Sequence, residues 1–306
     1  MERIVECVPN FSEGRNADII NAIVAEIRGV RGVVLLDQAP DESHNRVVVT
    51  FAGEPEAVEE AAFSATRKAA ELIDMEKHRG EHPRIGATDV VPFVPVAGVT
   101  MAECVEMARR FGKRVADELQ IPVYLYAEAA TRQDRKRLPD IRRGEYEGLK
   151  LSISHPDRRP DFGEPRMHPT AGATVVGARQ PLIAFNVNLD TADVKVASTV
   201  ARAVRESSGG LVNVQAKGVF IREKQLAQVT INLLDHEKTP LHRVLELVRL
   251  EARRYGADVV ETEIVGLIPL AALVNSAAWY LQVGHLSTDQ VLELAIRSGG
   301  AGRPAE

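Results

Sequence analysis

The order of apolar runs between residues 182 and 265 constrains the fold more than any other feature of this chain. Residues 182–189 alternate as a strand, and 193–206 carry Val196, Ala197, Val200 and Val204 at helical spacing. Strand-like runs at 212–220 and 226–233 follow, then a helical run at 240–255 with Leu241, Val244, Leu245, Val248 and Ala252 on one face. A last strand is read at 259–265. Strand–helix–strand–strand–helix–strand is the order of a split βαβ unit of the ferredoxin-like kind.

The first half carries the same order with one extra helix and strand. Residues 3–8 read as a strand, and 17–28 as a helix with Ile19, Ile20, Ile23, Val24 and Ile27 inward. Strands are expected at 33–36 and 46–52, separated by a polar loop that starts at Asp37. A helix with Val58, Ala61, Ala62, Ala65, Ala69 and Leu72 on one face follows, and then a strand at 90–96. The additions are a helix from Thr100 and a strand at 122–126. No residue-level repeat relates the halves. The expectation is an α+β chain of two ferredoxin-like βαββαβ subdomains, 1–179 and 180–306, with a ligand groove between them.

Residues 131–146 are dense in Arg, Lys and Asp and are expected to be mostly solvated. HPDRRPDFGEPRMHPTAGAT, 155–174, is rich in Pro and Gly and reads as a long loop, which in a compact domain is functional or disordered. The apolar run 264–283 contains Pro269, Asn275, Ser276 and Gln282 and lacks basic flanks, so a buried, broken helix is expected rather than a membrane span.

Composition excludes several classes. A formal net charge of -5 gives no support to a nucleic-acid binder that works by phosphate neutralisation. Cys7 and Cys104 form no CxxC, so neither a disulfide framework nor a zinc ribbon is expected, and a reducing cytoplasm is the expected compartment. The N-terminus lacks a signal-peptide layout.

Chemistry concentrates in KHRGEHPRIGATDVVPFVPV, residues 77–96. Gly80 and Pro83 disfavour a helix, so this is a charged loop delivered onto a strand, where binding and catalytic groups tend to sit. His82 is the best candidate for proton transfer, with Glu81, Arg84 and Asp89 nearby in sequence. A locally hydrogen-bonded surface histidine is the plain alternative. His78 and His82 form an HxxxH pair, a metal pattern only on a helix; His44 and His168 would be the further ligands, and no metal is expected. Arg46, Arg79 and Arg84 are candidates to clamp a carboxylate, or else are solvated or paired with Glu81 and Asp89. Asn10 and Ser12, and Asp37 and Asn45, lie at strand ends, where they either bind a ligand or make turns and caps. HPTAGATVV, 168–176, puts small residues before a strand, which lets a flat ligand approach the backbone or makes an ordinary turn. No phosphate loop or dinucleotide fingerprint occurs.

Six strings resemble one family: VECVPNFSEGR (5–15), HRGEHPRIGATDVVPFVPV (78–96), PVYLYAEAA (122–130), GATVVGAR (172–179), LIAFNVNL (182–189) and LAQVTINLLD (226–235). They are similar to the glutamate formimidoyltransferases, the transferase half of formimidoyltransferase-cyclodeaminase. The resemblance implies transfer of a formimidoyl group between N-formimidoyl-L-glutamate and N5 of tetrahydrofolate, in histidine degradation. It implies two ferredoxin-like subdomains with folate in the groove between them, and a homodimer. The family's catalytic histidine corresponds to His82. Its folate-binding loop matches residues 163–172, which places Gly163, His168, Thr170 and Gly172 among the expected ligand contacts, with Asn10, Asp37, Asn45, Arg46 and Arg84 as further ones. Tetrahydrofolate is the expected co-substrate, with no metal. A stand-alone transferase without a fused cyclodeaminase is expected, with a separate cyclodeaminase as a candidate partner, and no nucleic acid or membrane.

Other readings stay open on the sequence. A glutamate N-formyltransferase using 5-formyltetrahydrofolate differs by one exocyclic atom. A catalytically silent folate-binding protein is a different class, since ferredoxin-like pairs also serve as ligand sensors. A metal hydrolase built on His78 and His82 is the third.

Overall fold

The computed structural model describes residues 3–297. The chain divides into two compact units, Met1–Gln180 and Pro181–Glu306.

In the first unit, β1 (Ile4–Cys7) and β2 (Asn10–Phe11) act as one interrupted strand, since both pair antiparallel with β4 (Arg46–Gly53) and with β5 (Thr88–Ala97). The strand β3 (Val33–Asp41) pairs with the outer side of β4. The helices α1 (Ala17–Arg28) and α2 (Pro55–Leu72) complete a βαββαβ unit. Asn16 caps α1 through the amides of Asp18 and Ile19, and its Ile20, Ile23, Val24 and Ile27 are buried. Along β4, Val47, Val49 and Phe51 enter the core with these helices, so Arg46 projects from the opposite face.

The sheet is extended beyond β5. The helix α3 (Met101–Leu119), started by a Thr100–Glu103 capping box, crosses to β6 (Val123–Ala127). Two short helices, α4 (Leu138–Ile141) and α5 (Glu145–Ser152), precede β7 (Thr174–Ala178). That last strand inserts between β5 and β6 and is parallel to both. The extension is therefore one long helix and two strands, one strand more than the element order suggested.

The second unit is the ferredoxin-like motif alone: β8 (Ile183–Leu189), α6 (Val194–Val204), β9 (Val214–Ile221), β10 (Leu226–Leu233), α7 (Leu241–Arg253) and β11 (Val259–Val265). Its antiparallel sheet runs β11-β8-β10-β9. Ile183, Phe185, Val187 and Leu189 alternate into a core shared with Val200, Val204, Val244 and Val248. The helices α8 (Leu270–Tyr280) and α9 (Leu292–Arg297) follow.

Two expectations are corrected. β3 does not end near Asp37: it runs to Asp41 through a bulge between Leu35 and Asp37, because pairing with β4 satisfies the backbone of a polar stretch that looked loop-like. The 264–283 run is not a buried helix. Among its α8 residues only Ala272 and Val274 are buried, while Leu273, Trp279 and Tyr280 are exposed, and Trp279 stacks on His242 of α7 with ring centroids 5.0 Å apart. No helix among the described residues is long and apolar enough to cross a membrane. Residues 131–146 are mostly exposed or half-buried, as expected, with Arg135, Ile141 and Tyr146 buried.

Candidate active site

The loop from 77 to 87 is irregular, as Gly80 and Pro83 require, and it is fixed from three sides. The buried Ser12 donates its hydroxyl to Gly86 O at 2.8 Å and its amide to Ala87 O at 2.8 Å. On the other side, Ala87 N donates to Ala171 O at 2.8 Å and Ala173 N to Ile85 O at 3.0 Å. A Cβ on Gly86 would lie 1.9 Å from Ala173 O, so only glycine permits this approach. The third anchor is the β3–β4 turn. Asn45 donates from its side chain to Arg79 O at 2.9 Å, and its own carbonyl lies 2.9 Å from His78 Nε2.

This loop brings His82 into a buried polar cluster on the sheet. His82 is 7% exposed; its Nε2 lies 3.5 Å from Asp89 Oδ2 and its Nδ1 3.5 Å from Arg46 Nη1. Asp89 is placed by a bulge. The consecutive residues Asn10 and Phe11 face Val90 and Thr88, which leaves Asp89 as the extra residue of β5 and re-aims its side chain. Its Oδ1 accepts from Ile85 N at 2.8 Å, and its Oδ2 accepts from Arg142 Nη2. Arg46 Nη1 also donates to Asn10 Oδ1 at 3.3 Å, and Asn10 donates to Val8 O at 3.2 Å.

Burial and charge set the protonation states. Burial pushes the His82 imidazole below its ordinary value; Asp89 pulls the other way, and Arg46 and Arg142 add to the depression. Burial opposes ionisation of Asp89, but Arg142, His82 and the Ile85 amide outweigh it and hold the carboxyl below its usual range. Arg46 is lowered by burial first and by Arg142 second. The cluster is therefore a neutral imidazole beside a carboxylate and two guanidinium groups. Buried Nε atoms of Arg46 and Arg142, and His82 Nε2, have no hydrogen-bond partner. These are polar groups that an apolar interior does not satisfy, in a place where a bound ligand can.

Of the residues expected to bind ligand, Asn10, Arg46 and His82 are brought together. Gly172, at φ +75°, is bridged to Gly86 beside this cluster. His168 Nδ1 accepts from Thr170 N and Ala171 N and so shapes its own turn, and Thr170 O accepts from Met75 N. Gly163, at φ +86°, packs on Pro122 and Ala116 at the far end of that loop.

Four candidates from the sequence have other engagements. Arg84 is no free carboxylate clamp: its guanidinium donates to Glu145, to both oxygens of Glu147, to His78 Nδ1 and to His78 O. The Glu147 bonds consume the fork that a substrate would need, and Arg84 holds that carboxyl down to about 2. Asn45 is likewise engaged at both ends of its amide, accepting from Gly14 N at 3.0 Å. Asp37 lies in mid-strand opposite Thr50 and accepts from its neighbour Gln38 N at 2.8 Å. The HxxxH pair fails as a metal pattern, since both ring nitrogens of His78 are taken up by Asn45 O and Arg84 Nε.

Models of the formiminotransferase domain match nearly all of the chain, the N-terminal subdomain over residues 4–179 and the formiminotransferase domain proper over 184–302. The chain belongs to the formiminotransferase family. A glutamate formimidoyltransferase of Streptococcus pyogenes serotype M1 is 47% identical over 283 residues, which cover 92% of this chain and 95% of that protein. One from Thermoplasma acidophilum is 49% identical over 292 residues, 95% of this chain and 96% of that protein. A formimidoyltransferase-cyclodeaminase of Rattus norvegicus is 51% identical over 286 residues, 92% of this chain but 53% of that protein.

Two members of this formiminotransferase cluster escaped the sequence reading. For Asp89 the available signal is a carboxylate at the mouth of the apolar 90–96 run. Arg142 left no signal. It sits in a charge-dense run beside Arg143, yet its side chain is 12% exposed and that of Arg143 79%.

Proposed function

We propose that this chain is a glutamate formimidoyltransferase that moves the formimidoyl group between N-formimidoyl-L-glutamate and N5 of tetrahydrofolate, with His82 as the proton shuttle. The observation that carries the reading is the buried, neutral imidazole of His82, held between Asp89 and Arg46. The names of the near-full-length relatives support the substrate pair.

The reaction asks little of the protein beyond placement and proton transfer. N5 attacks the amidine carbon and forms a C–N bond. The N5 proton passes to the His82 lone pair. The tetrahedral adduct then collapses, the bond to the glutamate nitrogen breaks, and His82 returns the proton to that nitrogen. With Nε2–H directed at Asp89, Nδ1 is the basic atom, and Asp89 stabilises the transient imidazolium. Arg46 and Arg142 outweigh Asp89 in charge, and this excess positive charge suits a glutamate carboxylate. Arg46 takes the clamp role in place of Arg84, and Asn10 orients Arg46. The loop 163–172 carries the folate contacts, with Gly172 holding its end against Gly86.

The enzyme works in the cytoplasm as a homodimer. The family resemblance supports this reading, and the buried free thiols of Cys7 and Cys104 suit a reducing compartment. Sedimentation of the purified protein checks the dimer.

The central test is turnover of N-formimidoyl-L-glutamate with tetrahydrofolate, in the wild type and in His82→Ala, with binding of a folate analogue measured alongside. The expected loss is about a hundredfold or more in kcat with analogue binding retained. Wild-type turnover of 5-formyltetrahydrofolate alone would replace the formimidoyl by a formyl group; binding without any turnover would leave a folate-binding protein.

A further inference from the structure

We infer that Arg142 is a positioning residue that sets the basicity of His82 by engaging the same oxygen of Asp89 that faces the imidazole. The inference rests on the proposed proton shuttle and deepens it. Asp89 has one oxygen committed elsewhere: Oδ1 accepts from Ile85 N at 2.8 Å. The other, Oδ2, faces His82 Nε2 at 3.5 Å and is bonded by Arg142 Nη2. Arg142 is the partner bonded to that oxygen, while His82 Nε2, although buried, makes no hydrogen bond.

An unopposed buried carboxylate would draw a proton onto the imidazole and hold it there as a tight ion pair. That would leave no lone pair to accept the proton of an attacking amine. Arg142 prevents this in two ways: it neutralises Asp89, and its own positive charge disfavours an imidazolium nearby. When His82 does take up the proton during the reaction, Nε2–H can close on Oδ2 and share it with the arginine. The carboxylate then stabilises the charged imidazole only when that charge exists, which is the condition for lowering a barrier rather than a ground state.

The charged groups facing His82 come from three elements: Asp89 on β5, Arg46 on β4, and Arg142 just past α4. Arg84, two residues from His82, is paired away with Glu145 and Glu147, and Glu81 is exposed. Arg142 itself is carried by a segment clasped to the histidine loop. Tyr146 donates to Glu76 at 2.6 Å, Glu147 receives Arg84, and Arg158 donates to Ile141 O at 2.9 Å. The placement of Arg142 is thus built by tertiary contacts rather than by an exposed, mobile side chain.

The test compares the wild type, Arg142→Gln and Arg142→Lys. The His82 imidazole is titrated by NMR, with its signals assigned by their loss in His82→Gln, and kcat/KM is measured across pH 5 to 9. In Arg142→Gln the His82 titration and the acid limb of kcat/KM are expected to move together to higher pH. Activity should fall several-fold in mildly acid solution and recover in alkaline solution, while Arg142→Lys, which keeps the charge, restores most of the wild-type profile. A uniform rise in KM at every pH, with the His82 titration unmoved, would make Arg142 a substrate clamp and overturn the inference. Lower stability with no titration shift would do the same. If Arg142→Gln does not fold, Asp89→Asn/Arg142→Gln keeps the cluster free of an unpaired carboxylate; its His82 titration should lie above that of Asp89→Asn, and equality would count against the idea. The NMR readout needs no substrate. A shifted titration in a protein inert toward N-formimidoyl-L-glutamate would therefore refute the proposed activity and leave the role of Arg142 standing.

Discussion

At the scale of single residues, position in the hydrogen-bond network decides which charges are free to work. Arg46 and Arg84 are the same residue type, both near His82 in space or sequence, and both were candidates for holding a carboxylate. Arg84 is 4% exposed with its guanidinium committed to glutamates and to His78, whereas Arg46 keeps a buried Nε without a partner. Arg84→Met should therefore cost stability, about 1.5–3 kcal/mol for lost charge-assisted hydrogen bonds, while leaving KM for the glutamate substrate near the wild-type value. Denaturant unfolding and steady-state kinetics on the same preparation check both halves. A large rise in KM with unchanged stability would return Arg84 to the clamp role.

At the scale of elements, the histidine loop is held by backbone contacts between two glycine-containing strand entries. Gly86 and Gly172 form an isolated bridge, and neither tolerates a side chain: a Cβ would meet Ala173 O at 1.9 Å from Gly86 and Ile85 O at 2.5 Å from Gly172. Gly86→Ala must push the loop off the 171–173 segment, and with it Ile85 N, the amide that fixes Asp89 Oδ1. The expected outcome is a destabilisation of roughly 1–3 kcal/mol together with a fall in kcat larger than that in folate-analogue affinity. Thermal melts and turnover measure the two effects. A fully stable variant with normal kcat would show that the loop does not depend on this approach. The bulge at Asp89 belongs to the same scale: one extra residue in β5 decides that the carboxylate reaches His82.

At the scale of the whole molecule, buried histidines make stability depend on pH. His78, His82, His168 and His242 all lie below their ordinary value, with burial as the first cause in each. The unfolded chain therefore binds more protons than the folded one between the lowered folded values and about pH 6.5, so stability falls as the pH drops through that window. A second loss follows below about pH 4, where carboxyls held low in the folded state, including Asp89, Asp41 and Glu147, become protonated. Glu6 and Glu59, raised by burial, work in the opposite direction, but above about pH 4.5, where they offset part of the histidine loss. Chemical unfolding at pH 7.5, 6 and 5 should show a decreasing midpoint, and His82→Gln should flatten the first part of the fall. A midpoint that rises toward pH 6 would contradict the assignment. The division of labour between sequence and structure is also plain at this scale. Apolar periodicity and strand–helix order are local, since 3.6- and 2-residue repeats are written in neighbouring residues, and they made both ferredoxin-like units and the loop bearing His82 legible. The pairing of Asp89 with Arg142, the engagement of Arg84 and Asn45, the extension of β3 past Asp37 and the insertion of β7 between β5 and β6 all depend on contacts between residues far apart in the chain. No local pattern encodes which of many arginines is desolvated; only the folded chain, by drawing most of the Arg142 side chain out of solvent and leaving Arg143 exposed, makes that choice.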